Sequence, residues 1–169
     1  AHEFMAICDA GEDTVIHCNA CSYRANREVA TAKIDHHKEK EGKLEDVHTP
    51  DCESIEGVAK YLDIPTHKTA KAFFIKGEKG TLIFALIRGD LEGNEAKLKN
   101  STGLADIEFA STEEITAAGA IPGFASPLGL DTKKFKLIVD CSITESSNLV
   151  TGANKTDYHV KNFNFMRDV

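Results

Sequence analysis

The sequence has no tryptophan, only four prolines in 169 residues, and no basic excess. Twenty Lys and Arg stand against 27 Asp and Glu, a formal net charge of −7. Affinity for duplex nucleic acid rests on phosphate neutralisation by basic side chains, so this chain is not expected to hold a duplex by itself, and DNA is excluded as a partner. No apolar run approaches the ~20 residues of a membrane helix, and no secretory leader opens the chain. The expected location is therefore the cytoplasm, with no membrane partner. The sequence has no G-x-S-x-G elbow, GxxxxGK[ST] loop, HExxH or GxGxxG, so the familiar signatures of serine hydrolases, P-loop enzymes, zincins and dinucleotide binders are missing. There is no internal repeat. Five cysteines, Cys8, Cys18, Cys21, Cys52 and Cys141, are an odd number at irregular spacing, which argues against a disulfide framework. Cys18 and Cys21 form one CxxC. A zinc ribbon needs a second, and ordinary reduced thiols are the simpler reading, although His17, His36 and His37 lie near enough in sequence to complete a site.

What is present is an ordinary soluble composition, 41% hydrophobic and 28% charged. At this length one domain with a short lead segment is expected, burying roughly 70% of the unfolded surface. Ala1–Met5 reads as a cloning scar. Residues 1–45 are assigned to that scar and a lead-in segment, and 46–169 to a compact domain, because the polar stretch gives way to periodic apolar runs near Leu44–Val47. The mixed-charge run Lys33–Lys43 reads as a solvated linker or a helix end.

Ile55, Val58, Ala59 and Leu62 fall at i, i+3, i+4 and i+7, one face of a helix, with Ser54 as N-cap and Pro65 past its end. Ala70–Lys76 and Thr81–Arg88 read as a hairpin joined by the turn Gly77–Gly80, the second strand nearly all apolar and so central. A short helix over Asn94–Asn100, a strand over Asp106–Phe109, and a capping box Ser111-x-x-Glu114 opening a helix that exits at Gly119 follow. Pro122–Gly129 must be a loop. Phe135–Asp140 reads as a strand, Ser142–Ser147 as a helical turn and Tyr158–Phe163 as a last strand. The expected fold is mixed α/β: a strongly curved, barrel-like mixed sheet with helices packed outside.

Four positions stand out chemically. Lys71 shares a strand face with Phe73 and Ile75, so it is either an edge residue that snorkels or a functional cation. Gly123-Phe124-Ala125-Ser126-Pro127 is either a plain turn or a loop whose glycine lets a ligand approach the backbone closely. Asp140 ends an apolar strand. His159 alternates within the last strand, where a satisfied core histidine is the simpler reading.

Taken in order, Val47-His48-Thr49-Pro50, Ser54-Ile55-Glu56, Lys68-Thr69-Ala70-Lys71, Ile87-Arg88-Gly89-Asp90, Asn94-Glu95-Ala96-Lys97, the GxxxP loop, Ile138-Val139-Asp140, Gly152-Ala153-Asn154 and His159 resemble the inserted editing domain of bacterial-type prolyl-tRNA synthetases, of the YbaK-like deacylase superfamily. The resemblance covers residues 46–169. The flanks Gly11–Asn26 and Phe163–Asp168 are similar to the synthetase segments that run into and out of the insertion. The chain departs from the family at Leu91 and Gly93, where His and Leu are common, and at Phe165, where Trp is.

The resemblance implies hydrolysis of the ester of mischarged Ala-tRNA(Pro), a second sieve needed because a proline pocket cannot strongly exclude the smaller alanine. The implied partners are the 3′ CCA end of that tRNA and the rest of the synthetase chain. No cofactor is implied for the editing step, ATP and Mg serving only aminoacylation. Lys71, Gly123 and Asp140 match catalytic positions. Thr49, Ile55, Val58, His159, Phe124, Ala125, Ser126 and Pro127 match positions that bind substrate, Ile55 and Val58 against the alanyl methyl and His159 as a limit on pocket size. Water is the implied attacker. Two rivals are a free-standing trans-editing deacylase of the same superfamily and a module that binds the acceptor end without hydrolysing it; a third, weaker rival is a zinc or redox protein built on Cys18 and Cys21.

Overall fold

The apolar run Leu82–Arg88 forms β5, and in the computed structural model its centre is deeply buried: Ile83, Phe84, Ala85 and Leu86 are all at most 3% exposed. The structure describes residues 6, 8, 10, 11, 13–77 and 80–169. Ala1–Met5, which reads from the sequence as a scar, Ile7, Asp9 and Glu12 of the lead-in, and Glu78-Lys79 of the expected hairpin turn lie outside the described residues. Among those described, β1 (Val15–His17) and β2 (Arg24–Asn26) form a small hairpin. A three-stranded sheet runs in the order β3 (Glu45–His48), β9 (Tyr158–Phe163), β8 (Leu149–Gly152). A four-stranded sheet runs β6 (Ile107–Phe109), β4 (Ala70–Gly77), β5, β7 (Lys136–Val139). Its β4–β5 and β4–β6 pairs are antiparallel and its β5–β7 pair parallel, so the sheet is mixed. The two larger sheets meet at a parallel bridge between Thr69 and Val150.

β5 is flanked by strands on both sides and buried on both faces, which is why it reads as a continuous apolar run rather than an alternation. Phe74 and Phe84, directly opposite in the β4–β5 ladder, stack at 4.3 Å, and Phe135 meets both edge-on. The helices lie outside the sheets. α1 (Ile55–Tyr61) starts where Ser54 accepts a hydrogen bond from the Gly57 amide, and it seats Val58 with Cys52 against Val150. α2 (Glu95–Thr102) is capped by Asn94, which accepts from the Lys97 amide, so the unusual Leu91 and Gly93 do not prevent the helix from starting. α3 (Thr112–Ala117) carries the full Ser111–Glu114 capping box and is followed by Gly119 at φ +95°. α4 (Cys141–Thr144) drives the fully buried Ile143 into the main core, and α5 (Phe165–Asp168) closes the chain.

The solvated-linker reading of Lys33–Lys43 needs correction. The segment is extended and mostly exposed, but it is pinned along its length. Arg88, buried and paired with Asp90 through Nε and Nη2 at 2.6 and 2.9 Å, also donates to the Asp35 carbonyl. His36 Nε2 lies 3.4 Å from Glu145, His37 stacks on His67 at 4.2 Å, and Lys68 pairs with Glu39. Asn148 donates to the Lys40 carbonyl and accepts from the Gly42 amide.

Candidate functional site

Between the open start of β4 and the β8–β9 pair lies a hollow of about 120 Å3. Ile55 and Val58 line it from α1, Ala70, Lys71 and Ala72 from β4, Gly152 from β8, His159 from β9, and Gly123 and Ala125 from the loop, with Glu53 and Ser54 at its rim. Four separate stretches of sequence therefore meet here, and local reasons place their side chains. Ile55 and Val58 are one helical turn apart, so they face the same way. Lys71 follows the Thr69–Val150 bridge, which brings β4 against β8. His159 is set by the β3–β9 register opposite Val47.

The loop is held from behind. Asn154, at φ +49°, donates its own amide to the Phe124 carbonyl at 2.9 Å; its Oδ1 accepts from the Ser126 amide at 3.0 Å, and its Nδ2 donates to the carbonyls of Ser126 and Leu128 at 2.9 Å each. Asparagine tolerates the left-handed conformation better than most residues, and here its side chain mimics a strand partner for the loop. Gly152 completes the fit, since a Cβ there would overlap the Phe124 carbonyl. Gly123 adopts φ +81°, which a larger residue would resist.

His159 is 6% exposed and hydrogen-bonded through Nδ1 to Thr49 Oγ1 at 2.7 Å, with the Phe124 ring edge-on at 5.6 Å. Burial pushes its pKa below the usual histidine value, which favours the neutral ring. Lys71 Nζ donates to the Leu91 carbonyl and to Glu92 Oε1, both at 3.0 Å, so the segment that departs from the family holds the ammonium in place.

The structure thus brings Ile55, Val58, Lys71, Gly123, Ala125 and His159 to one hollow. Thr49 is fully buried and reaches that hollow only through His159. Phe124, Ser126 and Pro127 are buried loop residues that shape it rather than line it. Asp140 does not join it. It caps α4, accepting from the Ser142 amide at 2.8 Å, and lines a different concavity with Val139 and Cys141. A strand-end carboxylate followed by a short helix is as good a cap as a ligand, and here the cap is what forms. Ala72 carried no individual signal in the sequence, and neither did β8; Gly152 and Asn154 showed only as members of the motif Gly152-Ala153-Asn154. Cys18 and Cys21 sit exposed at the tip of the β1–β2 hairpin, and among the described residues no three His, Cys, Asp or Glu side chains form a metal cluster.

The aminoacyl-tRNA editing domain family matches residues 49–169. The chain is 42% identical over 171 residues to a proline–tRNA ligase of Fusobacterium nucleatum subsp. nucleatum, covering 99% of this chain and 30% of that protein. It is 44% identical over 169 residues to a proline–tRNA ligase of Dehalococcoides mccartyi, covering 99% of this chain and 29% of that one. The chain thus spans about 30% of the length of the curated relatives it matches. A solved structure of a proposed trans-editing enzyme for prolyl tRNA synthetase superposes with a TM-score of 0.60 at 18% identity, covering 70% of this chain and 74% of that one, a likeness of fold.

Proposed function

The chain belongs to the aminoacyl-tRNA editing domain family, and from that premise we propose that it hydrolyses the ester of mischarged Ala-tRNA(Pro), in cis within a proline–tRNA ligase. The observation that carries this reading is the convergence of Ile55, Val58, Lys71, Gly123 and His159 on one hollow of about 120 Å3. Two aliphatic side chains suit a methyl group. The buried imidazole, fixed by Thr49 and Phe124, limits how far a larger ring can enter. Proline is larger than alanine, so a small rigid hollow sorts them by exclusion, which a pocket built for proline cannot do.

In the proposed step water attacks the alanyl carbonyl carbon. The bond from that carbon to the ribose oxygen breaks, and the proton shed by water ends on the departing ribose oxygen, giving free alanine and tRNA. Negative charge gathers on the carbonyl oxygen on the way, and preorganised donors lower that barrier most. The amides of Phe124, Ser126 and Leu128 are already spent, on the Ile121 carbonyl, Asn154 Oδ1 and Ser126 Oγ. The amides of Gly123 and Ala125, at the hollow, have no such partner among the described residues and are the proposed donors. The Lys71 ammonium, held by Leu91 and Glu92, adds fixed positive charge. The neutral His159 is a wall in this scheme rather than a base. Asp140 is left out of the step, and no cofactor enters it.

The cis reading is favoured over a free-standing deacylase because the likeness to proline–tRNA ligases runs through the lead-in residues as well as the domain. The test is deacylation of Ala-tRNA(Pro) and Pro-tRNA(Pro) by the purified chain. Selective loss of the alanyl ester is expected. Binding of the acceptor end with no hydrolysis would replace the reading by that of a positioning module.

A further inference from the structure

A second concavity, of about 550 Å3, adjoins the hollow, and Lys71 and Ala72 line both. Its floor is one face of the four-stranded sheet. Ile75 lies opposite Phe109 in the β4–β6 ladder, so Lys71, Phe73 and Ile75, alternating along β4, share that face with Phe109. Phe109 is 80% exposed, a large aromatic ring with nothing laid over it. Its volume falls in the usual range of small-molecule sites, about 300–1,000 Å3, whereas the hollow beside it has room for little more than a small side chain.

The backbone is also open here. Between the Thr69–Val150 bridge and the Ile75–Phe109 pair, no strand among the described residues pairs with this edge of β4. The Phe74 carbonyl turns to that edge, where it accepts from the Ala110 amide at 3.0 Å. Backbone groups alternate sides along a strand, so the N–H and C=O of Ala72 turn to the same edge, one donor and one acceptor side by side where the two concavities meet. Charge then narrows the ligand. Glu92, Glu95 and Glu108 rim the groove, and the nearby cations are already engaged: Lys71 with Glu92, Lys99 with Glu95, Lys76 with Glu108. With each carboxylate paired to a lysine, the rim offers a phosphate no free cation among the described residues. It suits a neutral, planar group with a π-face and a donor and acceptor on its edge.

We infer that this groove seats the 3′-terminal adenosine of the substrate, its base stacked on Phe109 and read by the open backbone edge at Ala72, its ribose passing Lys71 so that the aminoacyl group drops into the hollow. The inference rests on the proposed hydrolysis of an aminoacyl-tRNA and adds where the base of that ester lies. Stacking on an aromatic ring is a common anchor for unpaired bases, tolerant of small shifts and independent of phosphate contacts.

Two measurements on the 169-residue chain test it. In an isotope-labelled sample, the trinucleotide CCA should shift the amide signals of Ala72 and Phe109, and CCC should shift them far less. Phe109→Ala, at an exposed position on an edge strand, should raise KM for Ala-tRNA(Pro) about tenfold with kcat within about twofold. If the native chain deacylates Ala-tRNA(Pro) while Phe109→Ala has an unchanged KM and CCA leaves both amides unmoved, the adenosine site is overturned and the hydrolytic reading stands. If the native chain fails to deacylate, that reading falls, and the CCA titration still decides the groove: shifts at both amides support it, none refute it.

Discussion

Replacing His159 by alanine removes one wall of the hollow, and the consequences for selectivity and for stability separate cleanly. The imidazole is 6% exposed and lies between Thr49, to which it is hydrogen-bonded, and the edge of Phe124. Its loss leaves the fully buried Thr49 hydroxyl without a partner, a penalty of about 1–3 kcal/mol. The lost aromatic edge contact adds about 0.5–1.5 kcal/mol. The variant should therefore unfold about 1.5–4.5 kcal/mol more easily, measured by urea titration, and still fold. On the functional side, one methylene of fit is worth about 1–3 kcal/mol, or 10–200-fold. A pyrrolidine ring that the imidazole now blocks should enter, so the ratio of kcat/KM for Ala-tRNA(Pro) over Pro-tRNA(Pro) should fall by at least about tenfold, through new cleavage of the prolyl ester. His159→Gln, which keeps a hydrogen-bonding group near Thr49 and part of the bulk, should fall between. A folded His159→Ala protein whose selectivity ratio is unchanged would refute the argument that this ring sets the size limit.

Lys71→Ala should lower deacylation of Ala-tRNA(Pro) by about tenfold or more, equivalent to ~1.4 kcal/mol of barrier, while the fold survives, because the ammonium bonds only the Leu91 carbonyl and the exposed Glu92; undiminished turnover would remove the lysine from the chemistry. Asn154→Ala should release the 123–128 loop, since three side-chain hydrogen bonds vanish together, lowering kcat along with a stability loss of at least about 1–3 kcal/mol; unaltered kcat in a destabilised protein would show that the clamp matters to the fold alone. Burial depresses the folded-state pKa of both His159 and His67, so below the unfolded value near 6.5 the unfolded chain binds more protons than the native one. Stability carried by these rings is fully present above that pH and is lost as pH falls beneath it; urea midpoints should drop from pH 7 to pH 5.5, less steeply in His159→Gln, and parallel slopes in the two proteins would contradict the assignment. Weak tRNA binding by this acidic chain should fall steeply as salt is raised, through phosphates held outside the adenosine groove, and tight binding of whole tRNA that ignores salt would contradict such contacts.

Much of the scaffold was legible because local rules and tertiary needs agreed. The apolar period of Ile55, Val58 and Ala59 gave α1, the Ser111–Glu114 box gave α3, and the unbroken apolar run of β5 announced a strand buried on both faces. The site was legible only in part. Ile55 and Val58 advertise themselves as a helix face, but nothing in their spacing says that the face looks into a hollow rather than a core. Lys71 shares a strand face with Phe73 and Ile75, which marks it as odd without saying why, and His159 sits in the mixed strand Tyr158–Phe163, where nothing sets it apart. Asn154 and Gly152 act through backbone geometry: one supplies hydrogen bonds to a loop nearly thirty residues away, the other leaves room for a carbonyl. Side-chain periodicity is blind to both kinds of contact. Asp140 misled for the complementary reason, since a carboxylate at a strand end looks the same whether it meets a ligand or the first amides of a helix.

The lead segment shows the same blindness on a larger scale and bears on how the site is held. A run of alternating charges reads as solvated because its side chains face water, yet Arg88, Asn148 and Arg167 grip the carbonyls of Asp35, Lys40 and Gly42. Backbone acceptors are present at every residue whatever the side chain, so no composition can announce which of them will be used. The grip matters because Arg88 ends β5 directly opposite Ala70, at the start of β4, and Lys71 is the next residue. A buried guanidinium whose carboxylate and carbonyl partners were removed would be left uncompensated at that strand end, a change worth several kcal/mol. The strap is thus wired to the strand that carries Lys71, and residues 33–43 belong to the physics of the hollow although none of them lines it.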